Sequence, residues 1–168
     1  MVGAMMPKVL QSGMPFFAPF TGGQLSRIAG ARNVFNLRAS YADEAEKAVQ
    51  HLATLGIKRI GIAYQNNAFG KEVLQGAQQA VADAKLPAPI ATTVENDASD
   101  ADKAARSLSE ANPEAVLVGL AGKPALEFAK AFHGMRAGVT MYALSVLGTS
   151  ANIKALGESA RGMAISQV

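Results

Sequence analysis

The residues of this chain that could do chemistry fall into a few patterns, and each pattern lacks a member its chemistry needs. Gly119-Leu120-Ala121-Gly122-Lys123-Pro124 follows an apolar run and ends in Gly-Lys, as a phosphate-cradling loop does. That loop also requires a glycine at position 117 and a hydroxyl at 124 to hold magnesium. The chain carries Leu117 and Pro124 there, so a tight strand-to-helix turn is the favoured reading. Gln65-Asn66-Asn67-Ala68-Phe69-Gly70 has one glycine, at its end, where a dinucleotide pyrophosphate would need G-x-G-x-x-G. A phosphoacceptor site needs acids clustered after a strand, and neither 65–67 nor 121–123 contains one. His51 and His133 have no Asp, Glu or His three or four residues on, so they read as surface or packing residues rather than ligands. Ser145 stands in Ala143-Leu144-Ser145-Val146-Leu147, without the G-x-S-x-G elbow of a hydrolase nucleophile. No catalytic constellation, cofactor site or metal site is predicted.

Composition narrows the classes further. The 168 residues include no cysteine, which removes thiol nucleophiles, disulfides, iron–sulfur ligation and the usual structural zinc. With 49% hydrophobic and 17% charged residues the chain has enough apolar content for a core and too little charge for a disordered segment. No apolar run reaches the ~18 residues of a membrane-spanning helix. The formal charge of +3 is spread singly; Lys58-Arg59 is the one adjacent basic pair. No basic stripe is interleaved with aromatics, so nucleic acid is not an expected partner.

The elements that must position any site follow from periodicity and punctuation. Residues 1–12 read as a short helix with Pro7 in its first turn and Gly13 ending it, rather than as a secretory leader. The chain is expected to begin inside a fold. Residues 14–18 and 34–37 are short extended candidates, separated by the turn at Thr21-Gly22-Gly23. Ser40 with Asp43 three residues on forms a capping box for a helix over 41–55. Its inner face is expected to carry Ala45, Val49, Leu52 and Leu55, with Glu44, Lys47 and His51 elsewhere. Strands are predicted at 59–64, 90–94, 115–120, 140–147 and 163–168. Four helices alternate with them, the third opened by Pro124 and packing Ala125, Phe128, Ala129, Phe132 and Met135 inward. Ser99 and Ser150 are the expected caps of the second and fourth, and the fourth should pack Ile153 and Leu156. Strands that are apolar throughout are buried on both faces. Regular alternation with short loops requires right-handed crossovers. The expected fold is a doubly wound α/β layer sandwich: a mainly parallel five-stranded sheet, helices on both faces, flavodoxin-like strand order.

Several stretches together resemble the type I periplasmic binding proteins of branched-chain amino-acid ABC transporters, the Leu/Ile/Val-binding family. They are Met14-Pro15-Phe16-Phe17-Ala18-Pro19-Phe20-Thr21-Gly22, Phe35-Asn36-Leu37-Arg38-Ala39-Ser40, Arg59-Ile60-Gly61-Ile62-Ala63-Tyr64-Gln65 with Phe69-Gly70, and Gly162-Met163-Ala164-Ile165. The resemblance covers essentially the whole chain and rests on the order and spacing of these segments. It implies a two-lobed parent, about twice as long, that traps ligand by hinge closure and delivers it to a permease. By that correspondence 1–20 is a first-lobe remnant, 21–40 a hinge or crossover segment, and 41–168 the second α/β lobe. Val168 falls at a hinge crossing.

The resemblance also implies ligand-binding positions. Thr21 matches the first-lobe hydroxyl that binds the head group; the alternative is a turn threonine before Gly22-Gly23. Phe69 matches an aromatic that is usually Tyr, and can pack on an apolar side chain or a cation without donating a hydrogen bond. Its alternative is an anchor at a helix start. The family's second aromatic falls near Ala121, and its acid for an α-ammonium falls near Ser145. Losing that acid opens the ligand class to an apolar or aromatic carboxylate. Tyr41 and Arg38 are secondary candidates. The implied function is the substrate-binding lobe of an ABC importer, periplasmic, taking an amino acid or related small organic acid without catalysis. A free-standing flavodoxin-like sensory or protein-interaction module is the alternative, and an α/β enzyme a weaker third. An exposed first-lobe strand at 14–18 leads to the expectation of a homodimer through the N-terminal segment.

Overall fold

The computed structural model describes residues 2–168; the first residue of the expected N-terminal helix lies outside them. That helix is α1 (Val2–Ser12). It contains Pro7 in its middle rather than in its first turn, and Gly13 follows with φ +66°. Two short strands, β1 (Phe16–Phe17) and β2 (Val34–Phe35), pair in parallel and form a separate two-stranded sheet. A short 3-10 turn at Gln24–Ser26 lies between them.

The main body begins with α2 (Tyr41–Thr54). Its capping box forms as expected: the Asp43 N–H donates to Ser40 Oγ at 3.0 Å, and the Ser40 N–H donates back to Asp43 Oδ2 at 2.8 Å. Then follow β3 (Ile60–Gln65), α3 (Ala68–Asp83), β4 (Ile90–Val94), α4 (Ala101–Glu110), β5 (Ala115–Gly119), α5 (Lys123–Arg136), β6 (Thr140–Ala143), α6 (Ser150–Leu156) and β7 (Ala164–Ile165). The five strands are all parallel, in the order β4-β3-β5-β6-β7. Counted from β3 this is 2-1-3-4-5, the flavodoxin-like order.

Helices cover both faces, and the core is accordingly double. Ile60, Ile62, Ala115 and Leu117 turn toward Val49, Leu52, Val73 and Ala77 of α2 and α3. Ala63, Val116 and Val118 turn toward Leu108, Phe128 and Phe132 of α4 and α5. The alternation along each strand is the pleat itself, with both directions apolar. Phe128 and Phe132 stack with centroids 5.8 Å apart. At the lower edge Glu114 accepts the backbone N–H groups of both Lys58 and Arg59 at 2.8 Å, which anchors the entry to β3.

Several expected details are corrected. Leu55 lies beyond α2 and is 59% exposed, whereas Glu44, placed off the inner face by periodicity, is buried. The cap of α4 is Asp100, not Ser99, and its side chain accepts the Glu95 N–H instead of a helical one. Thr149 rather than Ser150 caps α6, accepting from the Asn152 N–H. Met135 and Ile153 are exposed, because each lies at the margin of its helix's buried stripe. The strand predicted over 140–147 stops at Ala143 and gives way to a 3-10 turn at Ser145–Leu147. The strand predicted over 163–168 is reduced to Ala164–Ile165. At the first of these the chain leaves the sheet as Glu44 of α2 takes the Ser145 N–H, whereas beyond β7 the Ser166 N–H still donates to the Ala143 carbonyl oxygen at 3.0 Å and only the Ser166 hydroxyl goes to Glu44.

Candidate ligand-binding face

In a parallel α/β sheet the carboxyl ends of the strands share one rim, and ligands bind there. Two clusters build that rim. The first joins the ends of β3, β4 and β5. Gln65 donates to Asn96 Oδ1 at 3.0 Å and accepts the Ala121 N–H at 3.1 Å. Asn67 donates to the same Asn96 oxygen at 2.7 Å, while its own Oδ1 accepts the Gly70 N–H and caps α3. Asn66 reaches Glu95 Oε1 at 2.8 Å. Gly70 is required here. A Cβ on it would lie 2.0 Å from the Gln65 carbonyl oxygen and 2.4 Å from the Gln65 nitrogen, both backbone atoms.

The second cluster is centred on Glu44, in the first turn of α2. Its side chain is fully buried and accepts from three donors. The Ser145 N–H and Ser145 Oγ each bond it at 2.8 Å, one to each carboxylate oxygen, and Ser166 Oγ bonds it at 2.5 Å. The Arg38 guanidinium pairs with it at 3.6 Å and also donates to Ser145 Oγ. One carboxylate thus ties together the segment before α2, the end of β6 and the segment after β7. The helix N-terminus, with its aligned N–H groups, is a favourable place for that negative charge. Arg38 Nε is buried with no hydrogen-bond partner. Its guanidinium lies 5.1 Å from the Phe20 ring centroid and 5.9 Å from that of Tyr41. A cavity of about 230 Å³ opens beside it, lined by Ala18, Pro19, Phe20, Leu37, Arg38 and Val168.

Four of the six predicted binding residues are therefore brought together. Arg38 touches Ser145 and Tyr41, and Tyr41 meets Phe69 edge to face with centroids 4.7 Å apart. Thr21 is buried, and its Oγ1 accepts the Gly23 N–H at 3.1 Å, so it serves the turn while its hydroxyl proton stays free to donate. Ala121 contributes a backbone N–H that Gln65 already occupies. Sequence reasoning passed over Glu44, Ser166 and Phe20. The capping box could have pointed to Glu44: with Ser40 as the cap, residue 44 opens the first full turn, next to inward-facing Ala45. Nothing local marks Ser166.

A parallel 2-1-3-4-5 sheet, covered on both faces, with an aromatic and hydrogen-bonding rim at its carboxyl ends, defines a doubly wound α/β lobe. Residues 1–167 match the model of the periplasmic binding protein family, and the chain belongs to that family. A possible leucine/isoleucine/valine-binding protein from Rhodopirellula baltica SH 1 is 28% identical, with a TM-score of 0.82 over 97% of this chain and 46% of its own. A substrate-binding periplasmic protein from Ralstonia solanacearum is 26% identical, with a TM-score of 0.78 over 96% of this chain and 46% of its own. At 19% identity the likeness is one of fold alone: a solute-binding protein of an R. palustris ABC transporter, in complex with benzoate, gives a TM-score of 0.80 over 92% of this chain and 43% of its own. The chain thus spans under half the length of these solved structures. No match was found among the curated proteins.

Proposed function

We propose that this chain is the substrate-binding lobe of a periplasmic binding protein that serves an ABC importer. Its ligand is an amino acid or related small carboxylate, and it performs no catalysis. The observation that carries this reading is the convergence of Arg38, Tyr41, Phe69 and Ser145 at the carboxyl end of the sheet, beside an open cavity. Residues 1–20 act as first-lobe structure, 21–40 as the hinge crossing and 41–168 as the second lobe. The Glu44 cluster supports that division, because it fastens both 38 and 166 to the second lobe at the level where a hinge would run. The place of action is the periplasm, and the protein partner is a membrane permease.

A single lobe presents half of a cleft, so binding by this chain is expected to be millimolar. Isothermal titration against a panel of amino acids and aromatic acids tests this. Micromolar affinity for any of them refutes the half-cleft reading. The N-terminal apolar surface, with Phe17 at 68% and Met14 at 67% exposure, is expected to pair two copies of the chain.

A further inference from the structure

The small sheet of β1 and β2 has two faces, and only one of them is covered. Phe16 shares a groove with Met5 and Val9 of α1, and Asn33 Nδ2 donates to the Val9 and Met14 carbonyl oxygens at 2.8 Å. On the other face Phe17 and Phe35 are partners in register, at 68% and 47% exposure. Extended chain returns every second side chain to the same side, which brings Leu37 beside Phe35. Leu37 is 71% exposed, and it lines the cavity next to Arg38 together with Phe20, at 83%.

These four side chains form one apolar patch. With about 150–250 Å² on each aromatic residue, they leave roughly 500 Å² of apolar surface in water. A standard interface takes roughly 800 Å² from each partner, about two-thirds of it apolar in a homodimer, which is again roughly 500 Å². The patch therefore supplies the apolar area that a stable dimer needs. A twofold axis sets a patch against its own copy, so net charge on it would repel itself. Here the four side chains are uncharged, and the neighbouring Arg38 is only 13% exposed and paired with Glu44. Strands of two residues are too short for edge-to-edge pairing to hold two copies, so the face carries the contact.

We propose that a second copy of this chain seats on the Phe17–Phe35 face across a twofold axis and covers the cavity beside Arg38. The pairing of copies thereby gains a face and a consequence. The consequence rests on the solute-binding reading: dimer and solute claim the same cavity, so the solute-competent form is the monomer.

The test uses the intact 168-residue chain without solute, so its failure leaves the solute-binding reading standing. Sedimentation velocity over a hundredfold range of concentration should show a monomer–dimer equilibrium. Over the same range the 15N-labelled chain should shift its Phe17, Phe20, Phe35 and Leu37 amides, with those of α1 unmoved. Leu37→Glu, at an exposed position, should keep the melting temperature at low concentration and weaken dimerisation at least tenfold, because the charge would be buried in the contact. Met5→Glu, on the α1 side, should leave dimerisation unchanged. A monomer throughout overturns the proposal. So does a dimer whose shifts fall on α1, or one that Leu37→Glu leaves intact. Shifts at Phe17 and Phe35 without Phe20 overturn the covering of the cavity.

Discussion

Glu44 offers the sharpest test of the physical account, because a fully buried carboxylate serves three chain segments at once. Replacing it with alanine removes the acceptor of the Ser145 N–H and of the Ser145 and Ser166 hydroxyls, and leaves Arg38 without its counter-charge. The hydroxyls can rotate; Ser166 Oγ already lies 3.5 Å from the Ala143 carbonyl oxygen. Arg38 has less room, since its side chain is only 13% exposed. Breaking a buried ion pair from one side costs about 3–5 kcal/mol, chiefly through the charge left behind. For a chain of this size each kcal/mol moves the melting temperature by about 2–4 °C. Glu44→Ala should therefore lower it by roughly 6–20 °C. Glu44→Gln keeps one acceptor oxygen and the shape, so its loss should be smaller. The assay is thermal unfolding by circular dichroism, with urea titrations of Glu44→Ala, Ser145→Ala and the double variant. The two single changes share a bond, so the double should be less destabilised than their sum, by about 0.5–3 kcal/mol. A drop below ~2 °C for Glu44→Ala, together with additive singles, would refute the idea that this carboxylate fastens the three segments.

Four further outcomes are expected. Gly70→Ala should lose folded yield, at a cost of about 3 kcal/mol or more, because its Cβ would strike the backbone of Gln65; melting temperature and soluble yield report it. Gly134 lies in α5 with nothing within 4 Å of an added Cβ, so Gly134→Ala should stabilise by about 0.5–1 kcal/mol in the same assay. Hydrogen bonding to Ser40, first through its side chain and then its backbone, holds the Asp43 carboxyl below its ordinary value. The unfolded state then binds the extra proton first as pH falls. This stabilisation is thus complete above the usual aspartate range near ~4 and is lost as pH drops through the lower folded value. Urea titrations at pH 5 and pH 3 should show a shallower loss for Ser40→Ala, which also lacks about 1 kcal/mol of capping at the higher pH. Phe17→Lys should convert a self-associating chain to a monomer by light scattering; a wild-type monomer at high concentration removes the dimer.

Much of the fold was legible because its signals are local. Apolar runs such as 115–119 demand burial on both faces, the Ser40–Asp43 box starts α2, and the βα alternation leaves a parallel sheet with few topologies open. The errors lie where a local signal competes with a distant partner. Ser99 precedes α4 like a cap, but the turn after β4 places Asp100 at the helix start. Residues 144–147 have strand composition, yet the Ser145 N–H is taken by Glu44, so the ladder ends at Ala143.

The candidate site divides in the same way. The sequence by itself determined which residue types stand at the strand ends, and hence that Phe69 and Ser145 reach the rim while Ala121 brings no aromatic ring. It also determined that no acid occupies position 145. Only the tertiary structure decided what that loss means. Position 44 is 101 residues from 145 and 122 from 166, and nothing in periodicity links them. A glutamate buried among serines is tolerable only when folding brings donors to it, and those donors then leave it nothing to offer a ligand.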